Sequence, residues 1–398
     1  MVASTFGGSQ RPQLVALALQ GGGAIGAYHV GAFRALKEAG FTPDWVTGVS
    51  IGTINAALIA GNEPHEQLPR LEEFWRLVSD PAIFEAFVPP GFQRLYNTSS
   101  AIQSLLFGQP NFSRPFFINP YFAPPGTPPA TGIYDNSPLR ATLSRLVNLD
   151  RINNVRTRLS VGVTQVNTGD AYYFDNNNEK DRPFTLNNIL ASSAIPPLYA
   201  GVRINGELYW DGGIVDNTPL DPVLDDQDRH PERDALVFMV DLWSINPEEP
   251  RTIDEVMWRY NEIQFASRTD RHIKQHVERQ NLRRQMQMIA ERVAEPERSG
   301  LPVFEGGAGT FKFGKLDIVR VVYEPGVNQT SLSYLDFSNS SIQERIAAGY
   351  DDMKLVLEQA PWLEKHTPRS LDAAGIAQPR ATYHRVRRGK IQSVTPGM

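Results

Sequence analysis

Residues 45–57 read WVTGVSIGTINAA, and the meaning of this stretch decides the fold. A short apolar run ends in Gly48-Val49-Ser50-Ile51-Gly52, and a helical pattern of small residues comes directly after it. This is the G-x-S-x-G arrangement, a serine on a sharp turn from strand to helix. Glycines flank the serine because a tight elbow brings neighbouring main chain too close for side chains. The Ser50 hydroxyl is then held at a helix N-terminus, where N–H groups and the helix dipole favour developing negative charge. A plain βα turn can carry the same five residues in a chain with 31 glycines, so context decides.

Upstream, residues 14–19 (LVALAL) are apolar on both faces, as in a buried parallel strand. The run leads into Gly21-Gly22-Gly23-Ala24-Ile25-Gly26 and then a helical pattern with Val30, Phe33 and Leu36, closed by Gly40. Strand, glycine loop and helix N-terminus together make an anion site of main-chain N–H groups. Two readings compete. As G-x-G-x-x-G the loop matches a dinucleotide fingerprint, which also wants an acidic residue at the end of the second strand. Asp44 has about that spacing but precedes its strand, which ends in the serine elbow instead. The other reading is an oxyanion hole, with the N–H groups of Gly22 and Gly23 aimed at a carbonyl attacked by Ser50. An elbow one βα unit later favours the oxyanion hole.

Downstream, the strand-like Leu208-Tyr209-Trp210 ends in Asp211-Gly212-Gly213. A serine nucleophile needs a base within hydrogen-bond reach, and a carboxylate at a strand end can supply one. A free carboxylate titrates near pH 4, so either partial burial raises the Asp211 pKa or the group acts only as the transition state develops. Alone, Asp-Gly-Gly is an ordinary turn. The seven histidines offer no competing triad partner. His29 should pack or cap locally within its helix, and His65, His230, His272, His276, His366 and His384 lie in polar or charged surroundings. Each reads as a surface or locally packed residue rather than a catalyst, and none has metal-ligand spacing.

The glycine loop, the elbow about 25 residues later and the Asp-Gly-Gly resemble the patatin-like phospholipases. Ala191-Ser192-Ser193-Ala194-Ile195-Pro196-Pro197 and Asp216-Asn217-Thr218-Pro219 also look like that family's pattern, so four ordered matches cover residues 14–220. The resemblance implies an α/β fold, a three-layer sandwich around a mostly parallel sheet. It implies a serine–aspartate dyad without histidine, with Ser50 as nucleophile and Asp211 as proton acceptor. Gly21, Gly22 and Gly23 would form the oxyanion hole, Gly48 and Gly52 the elbow, and Gly212 and Gly213 would support the aspartate. No metal and no organic cofactor is implied, and the substrate would be an acyl lipid or another acyl ester. Many members carry Arg or Lys in the glycine loop where this chain has Ile25, so here that cation's role is absent or filled by another group.

Composition agrees with a globular enzyme: 398 residues, 41% hydrophobic and 21% charged, enough to bury a full core. A net charge of −5 gives no reason to expect nucleic-acid binding, and the absence of cysteine excludes disulfides and thiol chemistry. Without a signal-peptide pattern or a spanning apolar run, the expectation is a cytoplasmic protein, with peripheral membrane contact as an option. Residues 1–13 read as a disordered N-terminus, 14–250 as the catalytic domain, 251–380 as a mainly helical extension and 381–398 as a disordered tail. An insertion at about 88–137 is dense in proline and aromatic residues and reads as an irregular, ordered loop. It would be either a cover over the core edge or an apolar gate beside the site. Residues 137–147 predict a short helix, 158–166 and 171–174 a hairpin, 235–241 and 315–323 buried strands, 330–337 another strand and 342–357 a helix. Residues 253–293 carry apolar residues at helical spacing with many basic ones (Arg268, Arg271, Lys274, Arg279, Arg283, Arg284, Arg292), as in a solvated helix packed on the domain or a basic amphipathic helix lying on an anionic membrane. Two other functions stay open: a nucleotide-binding regulatory or scaffold protein, and an esterase for another intracellular acyl ester such as a storage polyester.

Overall fold

The computed structural model describes residues 12–80, 88–89, 91–230, 232–245, 248–266, 269–291, 314–326, 328–363, 381–387 and 390–393. Its frame is a ten-stranded sheet. The strands are β1 (Leu14–Leu19), β2 (Trp45–Val49), β3 (Arg158–Gln165), β4 (Ala171–Asp175), β5 (Val202–Ile204), β6 (Glu207–Asp211), β7 (Ala235–Asp241), β8 (Leu316–Val322), β9 (Ala381–Arg387) and β10 (Lys390–Ser393). They lie in the order β10-β9-β8-β7-β1-β2-β3-β6-β5, with β4 also paired to β3. From β9 to β3 the neighbours run parallel, and β10, β4, β6 and β5 are antiparallel additions.

Both faces of the central strands are covered, which is why they read as unbroken apolar runs rather than alternating ones. In β1, Val15, Leu17 and Leu19 enter one core, while Leu14, Ala16 and Ala18 enter the other. The first core is filled from α1 (Tyr28–Glu38), α2 (Ile51–Ala60), α3 (Gln67–Val78), α5 (Ser137–Leu146), α6 (Leu186–Ser192) and α10 (Asn339–Gln359). The second is covered by Val223 and Leu224 of α7 (Asp221–Arg229) and by Ile273 and Val277 of α9 (Thr269–Glu291). The result is the three-layer α/β sandwich that the sequence predicts.

The chain differs from expectation in its C-terminal third. Composition makes residues 381–398 a trailing tail. Instead β9 pairs in parallel with β8 over Leu316 to Val321, and β10 folds back on β9. The alternation Ala381, Tyr383 on one face supports this, since both are buried in the second core. The C-terminal extension thus contributes strands as well as helices, because β8, β9 and β10 widen the catalytic sheet. Residues 330–337 form a 3₁₀ turn at Ser333–Leu335 rather than a strand, held by Arg345, which donates to the carbonyls of Ser333 and Asp336. The 253–293 stretch is two helices, α8 (Ile253–Ala266) and α9. On α9 Arg279 is tied to Asp228 at 2.7 Å, so part of the basic face meets the domain's own carboxylates. Residues 1–11, Arg268, Arg292 and the side chains of Arg283 and Arg284 lie outside the described part.

The insertion is also more regular than its proline density suggests. Its prolines sit at 89, 90 and from 110 onward, which leaves residues 91–109 free of proline. That window forms α4 (Gln93–Phe107). The described remainder of the insertion is largely irregular as expected, broken by a 3₁₀ turn at Pro120–Phe122, a single helical turn at Pro128–Thr131 and a two-residue ladder between Arg114–Pro115 and Tyr134–Asp135.

Candidate active site

Strand pairing alone brings the serine and the aspartate together. β3 pairs with β2 from Arg158 to Gly162 and with β4 from Ser160 to Thr164, so these partners take opposite edges. β6 pairs with Val163 to Gln165, which β4 also occupies, so β6 must lie on the edge of β2, just beyond its end. Val49 thus sits opposite Gly162 and Asp211 opposite Val163. Two strand ends meet head to head there, at the carboxyl end of the parallel sheet, where such folds place their sites.

Ser50 caps α2 with φ 55° and ψ −125°, a left-handed conformation that is strained for a residue with a side chain. Such a residue costs about 1–3 kcal/mol and persists only where its surroundings impose it. The imposition is visible. A Cβ on Gly52 would stand 2.0 Å from the Leu19 carbonyl, and one on Gly48 would stand 2.5 Å from the main chain of Gly52. Ser192 closes the elbow from behind: its hydroxyl accepts from the Ser50 N–H at 2.9 Å, donates to the Gly162 carbonyl at 2.6 Å and lies 2.7 Å from Thr53 Oγ1. The Ser50 N–H is therefore engaged.

Asp211 is 2% exposed. One carboxylate oxygen accepts from the Gly213 N–H at 2.8 Å, and the Ser50 hydroxyl is close enough to the carboxylate to act on its titration. Burial pushes its carboxyl up to about 7, against the smaller opposing pull of the Ser50 hydroxyl and the Gly213 N–H. Gly212 lies against the Gly162 carbonyl and Gly213 beside Asn217. The Asp211 main chain is held by Ala194, which accepts its N–H at 3.1 Å, and by Thr164, whose hydroxyl donates to its carbonyl at 2.9 Å.

The glycine loop passes directly over the elbow: a Cβ on Gly21 would stand 3.0 Å from Ser50 Cβ. The Gly21 carbonyl accepts from Trp243 Nε1 at 2.8 Å and from Asn217 Nδ2 at 3.1 Å. Gln20, also buried, accepts from the N–H groups of Leu242 and Trp243 and donates to the Phe265 carbonyl. Among the described residues, the N–H groups of Gly22 and Gly23 find no acceptor. Ile25 is wholly buried in the first core. The loop thus has no cation at that position, and neutral donors from Trp243 and Asn217 anchor it.

Asn217 and Ser192 lie in segments that the sequence singles out, but their contacts are 196 and 142 residues away. Trp243 carries no sequence signal of its own. Asp44 accepts from the Val15 N–H at 2.9 Å, at the amino end of β1 and β2, the opposite end of the sheet from the glycine loop. The histidines meet expectation only in part: His65 and His230 are exposed, and His366 lies outside the described residues. His29, His276 and His384 are buried rather than exposed. Burial lowers His29 to about 3, and its Nδ1 lies 3.1 Å from Asn55 Nδ2, within a cluster that Trp75 completes. His272 is ion-paired with Asp221 at 2.9 Å, which raises its pKa. A polar cleft of about 930 Å³ lies elsewhere, lined by Arg94, Asp254, Arg259 and Glu262, and neither Ser50 nor Asp211 borders it. Its cations are largely spoken for: Arg94 pairs with Asp254 and Arg259 with Glu262.

A family model described as patatin-like phospholipase matches residues 17–224, and one described as patatin phospholipase matches residues 263–369. The chain belongs to the patatin-like phospholipase family. Lysophospholipase NTE1 of Cryptococcus neoformans var. neoformans serotype D is 24% identical over 254 residues, 60% of this chain and 12% of the fungal protein. Neuropathy target esterase sws of Drosophila melanogaster is 52% identical over 44 residues, 11% of this chain and 3% of the insect protein. The chain therefore spans a small part of the length of these relatives. VipD from Legionella pneumophila superposes with a TM-score of 0.38 and 15% identity, over 88% of this chain and 67% of that one. Among the described residues no helix is long and apolar enough to cross a membrane.

Proposed function

We propose that the chain is an acyl-ester hydrolase of the phospholipase A, lysophospholipase or carboxylesterase type, working through a Ser50–Asp211 dyad. The observation that carries this reading is geometric: the strand end that bears Asp211, a carboxylate 2% exposed, meets the Ser50 elbow head to head on one edge of β3, and burial lifts that carboxyl to about 7. Ser50 Oγ attacks the ester carbonyl carbon while its proton passes to Asp211. The carbonyl oxygen becomes an oxyanion, held by the N–H groups of the Gly21–Gly23 loop. The bond to the alcohol breaks as Asp211 returns the proton to the leaving oxygen, which leaves an acyl-enzyme on Ser50. Water then attacks that ester with Asp211 again as base, releasing the fatty acid and the serine. Every proton is handled by the dyad, so the cycle calls for no cofactor.

Treatment with a fluorophosphonate and mass-spectrometric mapping should place the label on Ser50 and on no other serine. A nucleotide-binding protein would instead bind NAD or FAD and leave Ser50 unlabelled. The position of Asp44 at the far end of the sheet removes the acidic partner that such a ribose site would want.

The dyad also predicts a pH profile. The base is the deprotonated carboxylate, so kcat/KM for a soluble ester should fall as pH drops through about 7. A profile flat from pH 5 to pH 8 would show that Asp211 is not the base.

A further inference from the structure

The insertion's helix is built inside out. A surface helix of a soluble domain normally buries its apolar stripe and presents polar residues to water. In α4 the buried residues are Asn97, Ser100, Ala101 and Ser104. They are held by polar contacts: Gln93 donates to Asn97 at 2.9 Å, Ser100 to Asp80 at 2.6 Å and Ser104 to Gln109 at 2.6 Å. Leu95, Ile102, Leu105, Leu106 and Phe107 face outward, Phe107 with 70% of its surface exposed. The irregular chain beyond it continues the pattern, with Phe117, Tyr121 and Phe122 between 84% and 104% exposed.

Charge is missing from the same surface. Between Leu95 and Tyr134 the sequence holds one charged side chain, Arg114, in a chain that is 21% charged. That guanidinium is neutralised by Asp135 at 2.9 Å. An exposed apolar face of this extent marks an interaction surface, and one without charge can leave water at low cost.

The face adjoins both walls of the candidate active site. On the Asp211 side, Ile133 and Tyr134 donate to the carbonyls of Pro197 and Leu198, in the same chain that holds the Asp211 N–H through Ala194. On the oxyanion side, α4 packs against Ser333–Leu335, and the Tyr334 carbonyl covers Gly23, 2.3 Å from where its Cβ would be. From this continuity we infer that the outward face of α4 and the Phe117–Phe122 tip dock on a neutral lipid surface, bringing the mouth of the site to substrate in the bilayer. Aromatic side chains with a polar edge, such as Tyr121, suit the boundary between headgroups and acyl chains. The inference rests on the lipid-hydrolase reading for its biological sense, but binding and catalysis are measured apart.

The test is co-sedimentation of the full chain with vesicles of ether-linked phosphatidylcholine, which no esterase can cleave. Binding should be equal at about 0.1 M and about 1 M salt, because charge does not drive it. Phe117→Asp with Phe122→Asp should lower binding at least ~10-fold, since two apolar anchors become charges at the interface. The same double variant should hydrolyse a soluble short-chain nitrophenyl ester as the parent does. Independently, the tryptophan emission of Phe122→Trp should shift to the blue when vesicles are added. Failure of the unmodified chain to bind, equal binding by the double variant, or loss of binding in high salt would each overturn the inference. So would a dimer that the double variant splits, which would make a second copy the occupant. A chain that binds vesicles but hydrolyses no ester would keep the surface and overturn the dyad, so the two failures are distinct.

Discussion

Ser50→Ala should lower kcat/KM on nitrophenyl acyl esters by at least about 10³-fold, and Asp211→Asn by about 10²–10⁴-fold. The first removes the attacking oxygen. The second leaves a neutral group of the same shape that cannot take a proton. Stability separates lost chemistry from lost fold. The folded pKa of Asp211 lies at about 7, above its unfolded value of 3.8, so the native state holds a proton that the unfolded state releases. Between those values the group's contribution to stability falls as pH rises, and above about 7 the full cost of a buried carboxylate is borne. A shift of this size corresponds to something on the order of 4 kcal/mol. Asp211→Asn should therefore be inactive and yet melt higher than the parent at pH 8, with the advantage vanishing near pH 4. A variant that melts lower at pH 8 would mean that the amide breaks the contact with Gly213 and that its inactivity reports on structure. Full hydrolysis by either variant would exclude the dyad.

The second large effect concerns the C-terminal third. At the crossing of α1 and α10 two glycines face each other's main chain. A Cβ on Gly31 would stand 1.8 Å from the Ile346 carbonyl, and one on Gly349 would stand 2.0 Å from the Tyr28 carbonyl. Backbone atoms cannot swing aside as a side chain can, so Gly349→Ala should sit at or beyond the upper end of overpacking costs, about 3 kcal/mol. Urea unfolding reads this as a lower midpoint, and an unchanged midpoint would show that the helices part without cost. Deletion is the stronger form. α10 buries Ile342, Ile346, Met353 and Val356. At about 1.5–3 kcal/mol each, these four contribute about 6–12 kcal/mol. A whole domain is stable by only about 5–15 kcal/mol. Removal of residues 251–398 would also strip β8 from β7 and leave an apolar strand edge open. That fragment should be insoluble or unfolded by circular dichroism. A soluble, cooperatively melting, active fragment would show that residues 1–250 fold without the C-terminal part.

Much of the site is legible in the sequence because its devices are local. A strand that ends in glycines and a serine, a glycine loop before a helix, and an aspartate before two glycines each constrain main chain within a few residues of themselves. The burial of three histidines is not legible in the same way. His276 and His384 lie in stretches that look polar in sequence and His29 in the helix after the glycine loop, and only packing reveals that neighbouring elements close over them. The C-terminal strands are hidden for a related reason. Residues 381–387 carry several basic side chains, and their strand exists because β8 offers an open edge to pair with. α4 misleads in the other direction. Its proline-free window is long enough for a helix, but its burial is the inverse of what its apolar residues suggest.

By itself the sequence determined the elements whose geometry is short-range: the central apolar strands, the elbow at Ser50, the glycine loop and the turn after Asp211. The tertiary structure decided how these meet. It placed β2 and β6 end to end on one edge of β3, so that the serine and aspartate come together although 161 residues separate them in number. It supplied Trp243, Asn217 and Ser192 as braces, and it buried Asp211 deeply enough to bring its pKa to about 7. Local motifs set dihedral angles, whereas desolvation and long-range pairing depend on which distant surfaces cover a residue, and only the folded chain specifies those.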